Sequence, residues 1–219
     1  ACRSHLHLQC TACGRLIHLD DDTSEAMRQM LDSADFEVDE GKTVLQNFRF
    51  ELHRGERVLL RGANGCGKSS FFKAVLGNAA NAETSGRLEI PAGLRISYVN
   101  QDTSGLSGGL KDYARMHGLD ESMLKALLRQ LDFERTQFDK RMEEYSEGQK
   151  KKVLLATSLL TPAHLYIWDE PLNFIDVFSR MQLEQLILKY QPTMLLVEHD
   201  TVFGGKVATR MVDITRTEP

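Results

Sequence analysis

A short glycine-rich stretch carries the clearest chemical pattern in the sequence. Gly62, Gly67, Lys68 and Ser69 follow the spacing Gly-x-x-x-x-Gly-Lys-Ser, directly after the apolar run 58–60. Glycines let backbone N–H groups converge on phosphate oxygens without Cβ clashes, and a helix that begins near Lys68 adds its positive dipole end. The lysine can reach the β- and γ-phosphates, and the serine hydroxyl can ligate Mg²⁺. The pattern therefore predicts a strand, a phosphate-binding loop and a helix.

The alternative explanation for this stretch is a chance glycine turn that binds nothing. Typical residue frequencies produce the pattern in on the order of one percent of chains of this length. The flanking strand and helix lower that fraction further. We therefore predict that the loop binds a nucleotide through the following residues: Gly62, Asn64, Gly65, Cys66, Gly67, Lys68, Ser69 and Ser70.

Two carboxylates and a histidine follow two further apolar runs. Asp169 and Glu170 come directly after the predicted strand 165–168, and His199 comes shortly after the predicted strand 193–197. A carboxylate at a strand end can reach Mg²⁺, and the next carboxylate can lie beside a water molecule. A lone histidine at a strand end is more often structural than catalytic, so its role depends on the features around it.

A polar turn leads into a predicted helix over residues 150–160. The turn reads Ser-Glu-Gly-Gln over residues 146–149, and a serine and a glycine at a helix N-terminus can bind an anion. The alternative is a capped helix with a solvated lysine patch at residues 150–152. Taken alone, the turn favours that alternative.

The first part of the chain, residues 1 to about 40, carries a separate metal-ligand pattern. His5, His7, Cys10 and Cys13 have ligand spacing, because Cys-x-x-Cys supplies two thiolates from one turn. Strand alternation places the two histidines on one face but directs Cys10 and His5 to opposite faces. We predict two strands flanking the cysteines, a helix and a third strand, at residues 5–9, 15–19, 24–31 and 36–38.

Residues 3–45 resemble the metal-binding dimerisation domain of ferric- and zinc-uptake regulators. The resemblance rests on the His-x-His-x-x-Cys-x-x-Cys-Gly run and implies a Zn²⁺ site. That family closes its structural zinc site with a second Cys-x-x-Cys, which this sequence lacks. Because structural zinc normally takes four ligands, the alternative is a fragment that holds metal only weakly. The sequence leaves open whether this segment is native to the chain.

The remaining sequence, from about residue 41, alternates predicted strands with predicted helices up to Ile214, which is typical of an α/β sheet. Apolar residues at 124, 127, 128 and 131 lie on one face of a helix. Gln101 follows a strand end. Residues 45–52 alternate loosely between apolar and polar side chains. Further strands are predicted at 87–90 and 94–99, and further helices at 121–133, 135–144 and 179–190.

These features, taken in order, resemble an ATP-binding-cassette nucleotide-binding domain over residues 42–214. The matching segments are the phosphate loop 62–69, the glutamine loop at Gln101, the signature 146–149, the magnesium-and-base strand 165–170, the following loop 171–176 and the switch histidine His199. The resemblance assigns the Mg²⁺ to Ser69, Gln101 and Asp169. It assigns catalysis to Gln101, Glu170 and His199. It assigns Ser146, Gly148 and Gln149 to a nucleotide held by a second cassette.

Within that superfamily, Tyr-Ser-Glu-Gly-Gln-Lys-Lys-Lys and Asp-Glu-Pro-Leu-Asn-Phe-Ile-Asp look like the second cassette of the ABC-F branch. That branch implies twin-cassette ATPases that act on the ribosome, some of which confer antibiotic resistance. Three departures stand out. Glu147 occupies a position where most cassettes carry glycine, and the sequence shows one cassette without the branch's long linker. Where the family stacks adenine on an aromatic ring, this chain offers Val38, with Phe36 nearby.

Composition and charge narrow the class of protein. The 219 residues are 42% hydrophobic and 26% charged, as in ordinary globular proteins. The net charge of −4 argues against non-specific binding to a nucleic-acid backbone. No apolar run approaches the roughly 20 residues of a membrane span. Three of the four cysteines lie within the first thirteen residues. Such spacing is not that of a disulfide framework, so we predict reduced thiols and a cytoplasmic protein.

The sequence thus predicts an α/β P-loop NTPase of the ABC type, with a mostly parallel sheet core, a helical arm subdomain at about 103–150 and an antiparallel β part. Residues 1–40 form the regulator-like fragment, and residues 41–219 form the cassette. The implied cofactors are ATP, Mg²⁺ and, in the fragment, Zn²⁺. The implied partners are a second cassette, in a homodimer or in tandem, and the ribosome. Two alternatives stay open: the ATPase subunit of an ABC transporter, and a metal-responsive binding module with a passive cassette.

Overall fold

A parallel five-stranded sheet forms the centre of the computed structural model, which describes residues 7–9, 16–18, 48–77 and 88–214. Its strands lie in the order β4-β5-β6-β3-β7 and every neighbouring pair is parallel. Two short strands at the front of the chain, β1 and β2, pair antiparallel in a separate sheet. The strands are β1 (His7–Gln9), β2 (Leu16–His18), β3 (Arg57–Arg61), β4 (Ile96–Val99), β5 (Leu165–Asp169), β6 (Met194–Val197) and β7 (Arg210–Asp213).

Six α-helices lie in the described part of the chain. They are α1 (Lys68–Val75), α2 (Leu110–Met116), α3 (Glu121–Gln130), α4 (Glu147–Leu160), α5 (Val177–Tyr190) and α6 (Thr201–Val207). Two 3₁₀ turns, Arg135–Gln137 and Met142–Glu144, connect α3 to α4. Helices α2 and α3 and both turns fall within the region predicted as a helical arm.

The central strands are apolar runs because both faces of the sheet are covered. Leu59 of β3, with Trp168 and Phe203, belongs to one buried cluster, which extends to the helices of the arm. The neighbouring Leu60 of β3 belongs to a second cluster on the other face, together with Phe72 of α1. All four residues of β6 are buried. Continuous apolar strands of this kind are typical of parallel sheets buried on both faces.

Side-chain caps fix where the helices near the strand ends begin. Asp176 accepts a hydrogen bond from the Ser179 amide at 2.9 Å and caps α5. Asp200 accepts from the amides of Val202 and Phe203, both at 2.9 Å, and caps α6. Such caps satisfy amides that have no partner within the helix. They therefore hold the loops between strand and helix in place, and those loops carry the predicted site.

The sheet confirms the predicted α/β fold, with some elements displaced. The prediction of a helix over 135–144 is wrong, because an antiparallel bridge between Gly109 and Arg141 extends the chain there. The Met142 amide donates to the Gly108 carbonyl at 2.9 Å, and the Met142 side chain is fully buried. Tertiary pairing therefore overrides the polar, helix-compatible sequence of this stretch.

Other differences concern strand ends and short elements. Residues 48–52 and 88–90 lie in no strand, and the strand predicted at 94–99 begins at Ile96. In the described residues, antiparallel pairing is confined to β1 with β2 and to the Gly109–Arg141 bridge. Strands β1 and β2 fall within the two predicted at 5–9 and 15–19. The helix predicted at 24–31, the strand at 36–38 and the boundary near residue 40 lie outside the described residues.

Candidate functional site

The carboxyl ends of β3, β5 and β6 meet at one edge of the sheet. In open parallel sheets, ligands bind at this edge, in the loops that leave the strands. The three loops here are residues 62–67 after β3, 170–176 after β5 and 198–200 after β6. Each contains residues that the sequence assigned to a nucleotide site.

The loop after β3 turns tightly, and its glycines permit the turn. A Cβ on Gly62 would collide with the carbonyl oxygen of Ile214 and the Sγ of Cys66. Gly65 and Gly67 have φ angles of 76° and 101°, in the left-handed region that glycine adopts without cost. The backbone therefore needs glycine at these three positions, and the loop leads straight into α1.

Lys68 opens α1 and is held inside the loop. Its Nζ donates to the carbonyl oxygens of Gly62 at 2.7 Å and Ala63 at 2.9 Å. The third ammonium proton faces Cys66 Sγ at 3.9 Å, a weak contact that a phosphate oxygen can replace. Ser69 is exposed in the first turn of the helix, and Ser70 is half-buried. The start of α1 can therefore present a cation, a hydroxyl and the positive end of the helix dipole to an anion.

Asp169 and Gln101 meet beside this loop. The Asp169 carboxyl is 5% exposed, and Gln101 Nε2 donates to its Oδ1 at 3.4 Å. Burial raises the pKa of Asp169, while the Gln101 hydrogen bond and the cations of Lys151 and Lys68 act in the opposite direction. A buried carboxylate, an amide oxygen and the Ser69 hydroxyl are hard oxygen ligands of the kind that Mg²⁺ takes. These residues therefore fit a magnesium ion.

Glu170 is held between a histidine and an asparagine. Its Oε1 lies 3.3 Å from His199 Nε2, and its Oε2 accepts from Asn173 Nδ2 at 2.7 Å. Its backbone has a φ of 47°, an uncommon conformation for a residue other than glycine. The Glu170 amide donates to Val197 at the end of β6 at 2.9 Å, which fixes this turn. The carboxylate is thereby aimed toward the loop that carries His199.

Glu198, which the sequence analysis did not assign to the site, organises that loop. Its Oε1 accepts from the amides of His199 at 2.7 Å and Asp200 at 3.1 Å. Its Oε2 accepts from the Leu172 amide at 3.1 Å, in the loop after β5. One carboxylate therefore ties the loop of Glu170 to the loop of His199. An acidic residue directly at the end of a buried strand was the signal that could have indicated this role.

Lys151 is the second residue near the site that sequence reasoning missed. It is 1% exposed, and its Nζ donates to the carbonyl oxygens of Asn100 at 2.8 Å and Asp169 at 3.5 Å. Burial lowers the pKa of Lys151, and the nearby carboxylates oppose this shift. Lys152 is also buried and pairs with Asp176 at 2.7 Å. The interpretation of residues 150–152 as a solvated patch is therefore wrong for two of the three lysines.

The turn that begins α4 is a capping box. Ser146 Oγ accepts from the Gln149 amide at 3.3 Å, and Gln149 Oε1 accepts from the Ser146 amide at 2.9 Å. A Cβ on Gly148 would collide with the carbonyl oxygen of Phe174, so α4 packs closely on the loop after β5. In the described residues, no hydrogen bond links this turn to the phosphate loop. The start of α4 is therefore a capped helix N-terminus, as the alternative interpretation of this turn predicted.

Glu147 connects the same turn to the glutamine loop. Its carboxylate accepts a hydrogen bond from Thr103 Oγ1 and pairs with Lys150 Nζ at 3.0 Å. The hydrogen bond from Thr103, followed by the one from Lys150, lowers the pKa of Glu147. Thr103 lies two residues after Gln101, so a single side chain joins the loop of Gln101 to the start of α4.

The predicted metal ligands of the front segment stay untested. Only the backbone of His7 is described there, in β1, while His5, Cys10 and Cys13 lie outside the described residues. Val38 and Phe36, the candidates for contact with adenine, also lie outside them. Within the described ranges, no group of three or more His, Cys, Asp or Glu side chains is placed to hold a metal ion.

Comparison with known proteins identifies the family to which the chain is similar. The family model described as ABC transporter matches residues 45–173. The ATP-binding protein Uup of Buchnera aphidicola is 33% identical over 82% of this chain and 31% of its own length. ABC transporter F family member 5 of Arabidopsis thaliana is 26% identical over 80% of this chain and 26% of its own length. These matches confirm the resemblance to an ABC-type ATPase domain close to the ABC-F branch.

A solved structure shows the same fold. The ATP-binding subunit of an ABC transporter superimposes with a TM-score of 0.66 at 24% identity, and the match covers 80% of this chain and 81% of that one. The chain spans about a third of the length of the curated relatives it matches. Among the helices of the described residues, none has the length and apolar character needed to cross a bilayer.

Proposed function

This chain belongs to the ABC transporter family of ATP-binding domains, and we propose that it binds Mg-ATP and hydrolyses it at a site that a second cassette completes. The observation that carries the proposal is the placement of Glu170. Its carboxylate lies next to the buried Asp169, within 3.3 Å of His199, at the sheet edge that also carries the phosphate loop. A carboxylate, a histidine and a phosphate loop at one edge suit hydrolysis of a nucleotide.

The phosphate loop would hold the nucleotide by its phosphates. Backbone amides of the loop and the start of α1 donate to the phosphate oxygens, and the remaining Nζ proton of Lys68 adds a charged donor. Ser69, Gln101 and Asp169 would hold Mg²⁺, which neutralises charge on the β- and γ-phosphates when bound. Lys151 would help to position Gln101 and Asp169, because its Nζ donates to the backbone carbonyls of Asn100 and Asp169.

Glu170 would orient the attacking water and accept its proton. The Asn173 amide and the His199 ring restrain both carboxylate oxygens, which limits the directions in which the carboxylate can point. His199 would donate to the γ-phosphate through a ring N–H that is not engaged with Glu170, and would stabilise the charge that develops on the phosphate. Catalysis of this kind depends mainly on positioning and on electrostatic stabilisation.

The second cassette would supply donors to the open side of the γ-phosphate. Ser146 is exposed at the N-terminus of α4, and Gly148 and Gln149 follow it in the first turn. Their amides and the helix dipole favour an anion. The second cassette is either another copy of this chain or a tandem partner. With two copies, the interface would be isologous and would enclose two nucleotides.

The proposed partner beyond the second cassette is the ribosome, in the cytoplasm. Support comes from the ABC-F-like sequence around the signature and from a relative that bears the ABC-F name. Co-sedimentation with ribosomes in the presence of Mg-ATP tests this partner directly. Recovery of the chain in the ribosome-free fraction under all nucleotide conditions would instead favour the ATPase subunit of a transporter.

The test of hydrolysis is the substitution Glu170→Gln, which keeps the shape of the side chain and removes the base. We expect nucleotide affinity to stay within about twofold and multiple-turnover phosphate release to fall about 100-fold or more, the usual contribution of a general base. Glu134→Gln is the matched control, because Glu134 is exposed in the arm and its carboxylate accepts a hydrogen bond from Thr136 and from no other residue that the structure describes. Phosphate release equal in wild type and Glu170→Gln would contradict the role of Glu170.

A further inference from the structure

An open pocket with a volume of about 330 Å³ lies between α3 and the 3₁₀ turn that follows it. The side chains that line it are Ser122, Lys125, Arg129, Arg135 and Phe138. The first three lie on one face of α3, because they are separated by three and four positions. None of these five residues takes part in the nucleotide site described above.

Two of the three cations at the pocket have no ion-pair partner among the residues that the structure describes. Lys125 pairs with Glu121 at 2.6 Å. The guanidinium groups of Arg129 and Arg135 make no ion pair and no hydrogen bond with any residue that the structure describes, and both residues are exposed. A guanidinium group offers five N–H donors in a planar fork that matches phosphate oxygens. Two such groups at one pocket form a site suited to phosphates.

An aromatic ring lies beside these cations and is held rigidly. Phe138 stacks on Phe133 with ring centroids 5.5 Å apart and planes 7° apart, and the Lys125 ammonium lies 5.6 Å from the Phe138 centroid. Phe133 is itself buried and packs edge-on against Tyr145 at 5.3 Å. The Phe138 ring is only partly buried, and because Phe133 stacks on the ring and Lys125 lies over it at the pocket, a base would reach the ring by displacing the Lys125 ammonium.

We propose that this pocket binds single-stranded RNA, with the two guanidinium groups on successive phosphates and a base against Phe138. Cations interleaved with an aromatic platform are the arrangement that binds single strands, because every base has a face that can stack. An acidic peptide would use the cations but not the ring. Because the net charge of −4 disfavours attraction to a long nucleic-acid backbone, the proposed contact with RNA is limited to the few phosphates at the pocket. The proposal rests on the pocket and does not depend on ATP hydrolysis.

The test measures the affinity of the chain for a fluorescent single-stranded RNA of about 12 nucleotides, within the range of known site sizes. The double variant Arg129→Gln with Arg135→Gln should weaken binding about tenfold or more, and Phe138→Leu should weaken it about fivefold. For wild type, the logarithm of affinity should fall with the logarithm of salt concentration at a slope of roughly −1.4, as expected for two phosphates on a single strand.

The matched control is the double variant Lys111→Gln with Lys140→Gln, which removes two exposed cations of the arm outside the pocket. It should bind RNA as wild type does, and all variants should keep basal ATP hydrolysis. The two double variants should also keep wild-type thermal stability, whereas Phe138→Leu should lose about 1 kcal/mol with the ring stack on Phe133. Equal losses in the two double variants would overturn the proposal. So would tighter, pocket-dependent binding of polyglutamate than of RNA, or displacement of RNA by low millimolar inorganic phosphate.

Discussion

Glu170 has a left-handed backbone although it carries a full side chain. Such a conformation costs of order 1–3 kcal/mol and persists only where neighbouring contacts enforce it. Here the Glu170 amide donates to Val197 at 2.9 Å, and the Asn173 side chain holds the carboxylate. The strain therefore lies at the residue to which we assign the proton transfer, where a fixed carboxylate has most effect.

Gly148 lies so close to the loop after β5 that it has no room for a side chain. Gly148→Ala would drive a methyl group into the Phe174 carbonyl and push α4 away from the loop after β5. We expect a stability loss of about 1–3 kcal/mol and a loss of ATP hydrolysis larger than that destabilisation explains. Thermal unfolding and phosphate release measure the two effects.

Gly205→Ala is the control for that substitution. Gly205 lies in α6, and a Cβ there meets nothing within 4 Å. The change should leave hydrolysis intact and stabilise the chain by up to about 1 kcal/mol, because alanine favours a helix. Equal hydrolysis in Gly148→Ala and wild type would contradict close packing between α4 and the loop.

Residues differ in how far their position could be predicted from sequence. The phosphate loop was predictable because its chemistry fixes both the residue types and their spacing, and Asp169 and Glu170 were predictable because they end a buried strand. Lys151 was not, because nothing in a run of three lysines tells which one turns inward. Glu198 was not, because its three amide partners come from two loops that only the fold brings together.

Helices α4 and α5 are joined by an ion pair that should respond to pH. Burial acts to raise the pKa of Asp176, but hydrogen bonds from Lys152 and Ser179 outweigh it and lower the pKa from 3.8 to about 2. A lowered carboxyl pKa stabilises the fold above 3.8, and this contribution is lost as pH falls toward 2. Because the Asp176 side chain is 40% exposed, solvent screening reduces the contribution to about 1 kcal/mol.

Asp176→Asn isolates this charge, since asparagine can also cap α5. We expect the variant to be less stable than wild type by about 1 kcal/mol at pH 7, and the difference to vanish as pH falls from about 4 to about 2. Denaturant unfolding at several pH values measures it. Asp112→Asn, which removes an exposed pair with Arg115, should cost less than about 0.5 kcal/mol. A difference that persists at pH 2 would contradict the assigned ion pair.

The hydrogen bond between Thr103 and Glu147 links the glutamine loop to α4. Thr103→Val removes the donor and should free the loop that positions Gln101 near Asp169. We expect the Mg²⁺ concentration for half-maximal hydrolysis to rise about fivefold, the order of effect of one lost hydrogen bond to a charged group. Nucleotide binding measured without Mg²⁺ should not change.

Thr136→Val removes a threonine-to-glutamate hydrogen bond of the arm, to Glu134 at 3.3 Å, at an exposed position, whereas Thr103 is buried. It should leave the Mg²⁺ dependence unchanged. The link would be refuted by a Thr103→Val variant whose Mg²⁺ dependence matches that of Thr136→Val.

Helices and strands were predictable where apolar residues recur at regular spacing over a long, uninterrupted stretch of sequence. Helix α3 shows this, with Leu124 and Leu128 fully buried on its inner face. Helix α6 went unpredicted, because it is short and contains two glycines, of which Gly204 packs against Leu59. Strand β7 is an edge strand with alternating exposure, so its sequence lacks the continuous apolar run of β3 and β6.

At the scale of the whole molecule, three large apolar side chains are exposed beside α4, the helix that the signature begins. Phe174, Val177 and Phe178 are 72%, 67% and 71% exposed, next to the contact between Phe174 and Gly148. Large exposed apolar side chains that cluster in this way mark an interaction surface. A second cassette that receives Ser146 and Gly148 would also cover these side chains, which makes a shared site the simplest assembly for this chain.

The most direct measurement of a shared site is the mass of the Glu170→Gln chain in solution, by light scattering, with and without Mg-ATP. We predict a monomer without nucleotide and a dimer with Mg-ATP. Adding Lys68→Ala, which removes the phosphate-binding cation, should abolish the dimer. In parallel, the ATP turnover of wild type per chain should rise with protein concentration. A monomer under all conditions, with a specific activity that is high and constant on dilution, would contradict the shared site.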